Sequence, residues 1–388
     1  MMNKGMKISS VEAIPVSIPY SHAERSSRVQ RGGVSDVIVK ISTDDGYVGW
    51  GESCSGADTA SIECAVNAMA NFVIGRSPWD IEAIARDVYG TGLWDYRIQT
   101  ANFAYAGIDM ALWDLCGKIS NQPIFRLFGG AVRNEVEYFY YLAASSPDDV
   151  AVQVQLGVVR GYSYFYLKVG VNEENEERML DAIRKTAGPK AKIRIDANEA
   201  WSLPTAVRLL TRWHQLFDLD FAEAPVKAWP LSLMKELRLR VPVSLCANEG
   251  LGSEDSVRRM IESGAADILC MSSYWVGTLR RFHTLSGMAH LYGISVCKHT
   301  HGELGLAATA GHHMMLTIPN TIAGCQQTAS VMVDDILTET LPIASEPRWG
   351  LIEKPGLGVE VDEARLKHYA DLYRRKGQFL PWAAADDD

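Results

Sequence analysis

Val37, Val39 and Ile41 recur at every second position, and Asp44-Asp45-Gly46 supplies a turn before YVGWGE. This period-two pattern predicts an antiparallel hairpin. The period then lengthens. Tyr105, Ile108, Leu112, Leu115 and Ile119 recur at helical spacing through AYAGIDMALWDLCGKI, predicting an amphipathic helix that ends near Asn121-Gln122-Pro123. Strands followed by a helix describe an α+β module. From about Val136 short apolar runs alternate with amphipathic stretches such as the one carrying Met179, Ile183 and Ala187. Candidate strands begin near Val136, Tyr164, Lys192, Asp220, Val243, Asp267, Ser295 and Thr321. Eight strands in about 200 residues fit a parallel β/α barrel. A doubly wound sheet would call for a glycine-rich nucleotide fingerprint, and none stands where one is expected. After the eighth strand, LPIASEPRWGLIEKPGLGVEVDEARL is too rich in Gly and Pro for another barrel helix and is expected to return over the first module. The closing AAADDD is expected to be a frayed tail. The expected organisation is an α+β domain over 1–130, a barrel over 131–345 and a C-terminal segment over 346–388.

Barrel active sites form at the C-terminal ends of the strands. The third, fourth and fifth strands end KIRIDAN, DLDFAEAP and VSLCANEG, each delivering one acid: Asp196, Glu223 and Glu249. Three carboxylates pointed at one place are stable only around a cation, and hard oxygen donors suit Mg²⁺. The competing reading is that each acid caps the helix that follows it. The second strand ends YSYFYLKVG, and period two places Tyr164, Tyr166 and Lys168 on one face. Lys168 would then stand one strand from Asp196, where a neighbouring cation lowers its pKa towards that of a base; the competing reading is a surface lysine paired with NEENEE. The seventh strand, GISVCKHTHGELG, brings Lys298, His299 and His301 to the same rim, roughly across the mouth from Lys168. His299 is the candidate to face Lys168 over a substrate, with His301 the weaker candidate. His312 and His313 lie in an apolar helical stretch and are expected to be structural.

Composition narrows the partners. With 388 residues, 47% hydrophobic and 22% charged, the chain is an ordinary globular protein. A net charge of −9 argues against nucleic acid, so an anionic substrate needs a local cation. Seven cysteines, an odd number without a C-x-x-C pair, fit a reducing compartment. Cys246, Cys270, Cys297 and Cys325 fall in the apolar runs and are expected to be small buried hydrophobes. No signal-peptide pattern or membrane-length apolar run appears, so a cytoplasmic enzyme is expected.

Taken together, YVGWGE, GIDMALWDLCGK, LKVG, DAN, FAEAP, NEG and the closing PGLGVEVD resemble the enolase superfamily, specifically its mandelate racemase and muconate lactonizing enzyme branch. The resemblance covers nearly the whole chain. It implies a (β/α)7β TIM-like barrel under an α+β capping domain that the C-terminal segment completes, and a homo-oligomer. It also implies abstraction of an α-proton from a small-molecule carboxylate through an enediolate, with a Lys or His base and Mg²⁺. Asp196, Glu223 and Glu249 match the metal-ligand positions, Asn198 a polar neighbour of the first, and Lys168 the second lysine of a Lys-x-Lys motif. Three departures stand out. Tyr166 replaces the first lysine, and joins Lys168 and His299 in the expected catalytic set. Ser272 stands where relatives carry a lysine, or an aspartate that supports the histidine. The eighth strand, TIAGCQQ, lacks a glutamate. His299 matches the racemase histidine without its partner and is expected to serve better as an acid than as a strong base. Asn198, Ser272 and Lys298 are the expected substrate-binding residues. Racemisation or epimerisation and dehydration of a hydroxy acid or amino-acid derivative are the expected outcomes. A muconate-type cycloisomerase and a non-catalytic carboxylate-binding barrel are the alternatives. Within HAERSSRVQRGG, Arg25, Arg28 and Arg31 are candidates to meet a second anionic group; a solvated, mobile loop is the expectation.

Overall fold

The computed structural model describes residues 5–54, 58–90, 98–143 and 146–379. The predicted hairpin is present, extended by a longer first strand. β1 (Ile8–Arg25) pairs antiparallel with β2 (Gln30–Thr43), and β2 with β3 (Val48–Ser53). The charged HAERSSRVQRGG stretch is therefore the tip of a hairpin and not a free loop. Against this sheet pack α1 (Thr59–Val73) and the predicted long helix, α3 (Ile98–Ser120), with α2 (Ile81–Gly90) packed on those two helices. The glycines of YVGWGE let β3 lie directly on α3. A Cβ at Gly51 would run into the carbonyl of Gly107, and one at Gly49 into that of Ala111.

The barrel sheet is parallel and seven-stranded: β5 (Tyr140–Leu142), β6 (Tyr164–Lys168), β7 (Lys192–Asp196), β8 (Leu219–Glu223), β9 (Ser244–Ala247), β10 (Ile268–Met271) and β11 (Ser295–Lys298). Two strand expectations need correction. Val136 belongs to β4 (Glu135–Glu137), which pairs antiparallel with β12 (Arg348–Gly350) outside the barrel; the first barrel strand is β5. Thr321 starts no strand. Residues 320–326 close the ring through scattered bonds instead, Val296 N–H to Asn320 O (2.9 Å) on one side and Cys325 N–H to Glu137 O (2.8 Å) on the other. Short polar residues start the outer helices: Ser146 caps α4 (Pro147–Val159), Asn172 α5 (Glu173–Ala187), Ser202 α6 (Leu203–Phe217), Ser253 α8 (Glu254–Ser263) and Thr278 α9 (Leu279–Leu291). Only α7 (Leu231–Arg238) among these begins without a side-chain cap, at Pro230. The barrel floor is threaded by Arg194. Its guanidinium lies between the rings of Tyr164 and Phe221, pairs with Asp220 (2.8 Å), and donates to the carbonyls of Ala323 (2.7 Å) and Gly324.

The C-terminal segment does return. After β12 and α11 (Glu363–Lys376), which packs on β1, the Ser17 hydroxyl donates to Gly377 O (3.0 Å) and Phe379 N–H donates to Ser35 Oγ (2.9 Å). The AAADDD tail lies outside the described residues.

Glu52, at the end of YVGWGE, joins the capping sheet to the barrel. Its carboxylate accepts the N–H groups of Leu304 (2.7 Å) and Ala307 (2.9 Å) at the start of α10 (Gly305–Thr317). Burial, reinforced by Asp335 and Glu303, pushes its carboxyl up to about 7 from an ordinary 4.5. Between those values the folded protein keeps a proton the unfolded chain has lost, so this group lowers stability as pH rises through the window. Asp109, also buried and raised to about 7, acts in the same direction. In Glu52→Gln the fall in urea midpoint from pH 5 to pH 8 should be smaller than in the wild type. An identical fall would remove Glu52 from the account.

Candidate active site

Strand register builds the site. Lys168, Asp196 and Glu223 are neighbours across β6, β7 and β8, and Glu223 faces Cys246 on β9, three residues before Glu249. The chain turns sharply beyond these ends: Asn198, Glu199 and Ala224 have φ of 46°, 62° and 39°, a left-handed region costly for non-glycine residues. The acids do not cap the following helices, because Ser202 and Ser253 do so and α7 has no side-chain cap. The helix-cap reading therefore falls.

Each acid receives one hydrogen bond from a neutral side chain. The Tyr166 hydroxyl donates to Asp196 (2.7 Å), the Gln326 amide to Glu223 (2.7 Å) and the Asn198 amide to Glu249 (2.9 Å). Asp196 and Glu223 are 1% exposed. Burial and mutual repulsion with Asp196 push Glu223 well above the usual carboxylate range and Glu249 up to about 7. Glu249 Oε2 and Asn198 Oδ1 are buried without a hydrogen-bond partner among the described residues. Oxygen-only donors, excess negative charge and spare lone pairs fit a hard divalent cation. Glu223 also approaches Cys246 and Cys270, one ligand atom of each lying within 4.8 Å of the others. Burial raises both thiols, that of Cys246 to about 12, so they are protonated and weak ligands.

The Lys168 ammonium lies 2.5 Å from Asp196 Oδ2. Burial alone would lower its pKa, but Asp196, Glu24 and Glu223 outweigh that and hold it above the ordinary lysine value. These three carboxylates favour the ammonium form of Lys168. His299 is 6% exposed, packed edge-on to Trp275 (5.1 Å, 79°), and its Nδ1 has no partner among the described residues. Burial, His301 and the cations Lys168, Lys298 and Arg31 push its pKa well down, so the imidazole is neutral. Lys168 and His299 line one cavity of about 540 Å³, together with Asn198, Asn248 and Glu249.

Two expected site residues stand elsewhere. Lys298 is 1% exposed and its ammonium pairs with Glu303, turned away from the rim. Ser272 is buried at the start of the single turn Ser273–Val276, with no cap bond from its side chain, and does not line the cavity. Tyr166 stays at the site, its ring stacked on Phe139 (4.5 Å, 13°) and its hydroxyl committed to Asp196. Asn198 remains at the cavity, with its amide committed to Glu249. As expected, His312 and His313 are structural, bonded to Tyr138 and Gly350 O, and to Leu357 O. Cys246, Cys270, Cys297 and Cys325 are buried and free.

The capping hairpin supplies what the sequence hid. Arg31 is 9% exposed and bonds Glu24 through Nε (2.9 Å), and Arg28 pairs with Glu199; all but Glu199 line the cavity. Arg25 is exposed. The hairpin tip thus walls the cavity, and its two lining arginines are paired with Glu199 and Glu24. Glu24 was not anticipated; an acid in a polar hairpin carries no periodic signal.

Residues 11–129 match the family described as mandelate racemase/muconate lactonizing enzyme, N-terminal domain, and residues 149–365 match enolase C-terminal domain-like. The chain is similar to the N-succinyl-L-Arg/Lys racemase of Bacillus cereus, at 27% identity over 381 residues, covering 95% of this chain and 100% of that one. It is also similar to the chloromuconate cycloisomerase of Cupriavidus pinatubonensis, at 27% over 365 residues, covering 92% and 96%. A crystal structure of an enolase from Pseudomonas fluorescens Pf0-1 with bound magnesium, potassium and tartrate superposes with a TM-score of 0.86 at 25% identity, covering 96% and 94%.

Proposed function

The chain belongs to the mandelate racemase/muconate lactonizing enzyme branch of the enolase superfamily, and from that premise we propose a Mg²⁺-dependent racemase or epimerase that moves the α-proton of a carboxylate substrate between Lys168 and His299. The observation that carries this reading is that both groups open onto one cavity beside Glu249 and Asn198. Asp196, Glu223 and Glu249 would hold Mg²⁺, which when bound supplies the positive charge a deprotonated α-carbon next to a carboxylate needs. Lys168 and His299 belong to the second and seventh strands of the barrel. One takes the proton and the other returns it, and the substrate's configuration decides which acts first. The neighbouring carboxylates favour the charged form of Lys168, and burial favours the neutral form of His299. The likeness to a magnesium-bound enolase supports the choice of ion. The seven free cysteines support a cytoplasmic setting for the enzyme, and the homo-oligomer implied by the resemblance belongs to the same proposal.

Dehydration is the second reading. Among the described residues His299 has no carboxylate partner at Nδ1, so once protonated it gives up its proton readily, as the leaving hydroxyl of an elimination requires. Cycloisomerisation is disfavoured by a buried serine hydroxyl at 272, where it would require a lysine.

The test is proton exchange. Protein and MgCl₂ are incubated in D₂O with sugar acids and N-acyl amino acids, and products are read by proton NMR. We expect α-deuteration with loss of configuration, abolished by EDTA and restored by Mg²⁺. Formation of a 2-keto acid would select the second reading. Calorimetric Mg²⁺ binding with neither product across the panel would leave a non-catalytic carboxylate-binding barrel.

A further inference from the structure

Of the three neutral donors on the acids, Tyr166 and Asn198 come from β6 and the turn after β7, close to the carboxylates they serve. Gln326 comes from the barrel-closing segment, 103 residues beyond Glu223 in sequence. It is 3% exposed, and both ends of its amide are spent. Nε2 donates to Glu223 Oε2 (2.7 Å), while Oε1 accepts the backbone N–H of Thr300 (3.3 Å). A flipped amide would set two oxygens against each other at Glu223 and two N–H groups against each other at Thr300, so only one orientation satisfies both neighbours. The main chain is fixed as well, Gln326 N–H donating to Lys298 O (2.9 Å). One rigid amide therefore ties a candidate metal ligand on β8 to the residue following His299.

We propose that Gln326 is a positioning residue that fixes Glu223 for Mg²⁺ and holds the His299 segment in register with it. The proposal rests on the reading of Asp196, Glu223 and Glu249 as metal ligands. Without the amide proton Glu223 loses its fixed orientation, so the binding geometry must be assembled when the ion arrives. Partners of this kind typically change metal affinity by about 10–100-fold. Gln327, the next residue, donates to Phe139 O (3.3 Å) and Ser330 Oγ (2.9 Å) and touches none of the three acids, which makes it an internal control.

The experiment is a calorimetric titration of the full chain with MgCl₂, using wild type, Gln326→Leu, Gln326→Met and Gln327→Leu. Both Gln326 variants should bind Mg²⁺ about 10–100-fold more weakly, with melting temperatures in EDTA close to wild type and a smaller rise on adding Mg²⁺. Gln327→Leu should bind as the wild type does. Unchanged affinity in either folded Gln326 variant overturns the proposal. So does failure of both to fold, which would make Gln326 a barrel-closing residue only. A wild type that binds no Mg²⁺ overturns the metal-site reading beneath it.

Discussion

Lys168→Arg is expected to lose proton exchange as completely as Lys168→Ala, each falling about 10²–10⁴-fold below wild type. The arginine variant separates two roles for this residue. A lysine needed only to neutralise Asp196, with its ammonium 2.5 Å away, could be replaced by a guanidinium that keeps the ion pair. A lysine that must give up its proton could not, because arginine stays charged in proteins. Metal affinity should move the other way in the alanine variant. Removing the ammonium leaves Asp196, Glu223 and Glu249 with less compensating charge, so Mg²⁺ should bind Lys168→Ala at least as tightly as wild type. Exchange would be followed by proton NMR in D₂O and Mg²⁺ by calorimetry. Exchange in Lys168→Arg within about tenfold of wild type would remove Lys168 as base.

What the sequence disclosed follows from how far the controlling interactions reach. The alternation of strand and helix sets which residues end each strand, so Lys168, Asp196 and Glu223 were legible and are direct neighbours in the sheet. Glu249 was legible for the same reason, although it lies in the turn beyond β9. Lys298 was misplaced because period two says nothing about what stands behind a strand. Gly311 on α10 leaves the space its side chain fills, since a Cβ there would come within 2.5 Å of Lys298 Cε. The hairpin tip looked solvated because its partners are remote: Arg28 pairs 171 residues away, and Arg31 reaches His301 O across 270. The eighth strand was overread because TIAGCQQ has strand composition, yet closure at that point depends on bonds from Arg194 and from single bridges.

Arg194 carries the other large expectation, a loss of about 3–5 kcal/mol of stability in Arg194→Ala. KIRID carries three charged residues, Lys192, Arg194 and Asp196, and an arginine in a strand would normally face solvent. This one is 2% exposed, stacked between two aromatic rings at 4.6 and 4.4 Å. Its removal leaves Asp220 only the more distant Lys192 (3.9 Å) and leaves the carbonyls of Ala323 and Gly324 without their donor, in the stretch where no regular strand supplies one. Lysine should recover only part of the loss, because one ammonium cannot reproduce the planar fork that reaches three acceptors at once. The urea midpoint and slope of both variants would measure this, and a change below about 1 kcal/mol in Arg194→Ala would show that the closing segment holds without it. The effect should also reach the mouth of the barrel. Gly324 is two residues from Gln326, so a looser floor frees the segment that holds Glu223, and Mg²⁺ affinity in Arg194→Lys should fall together with stability.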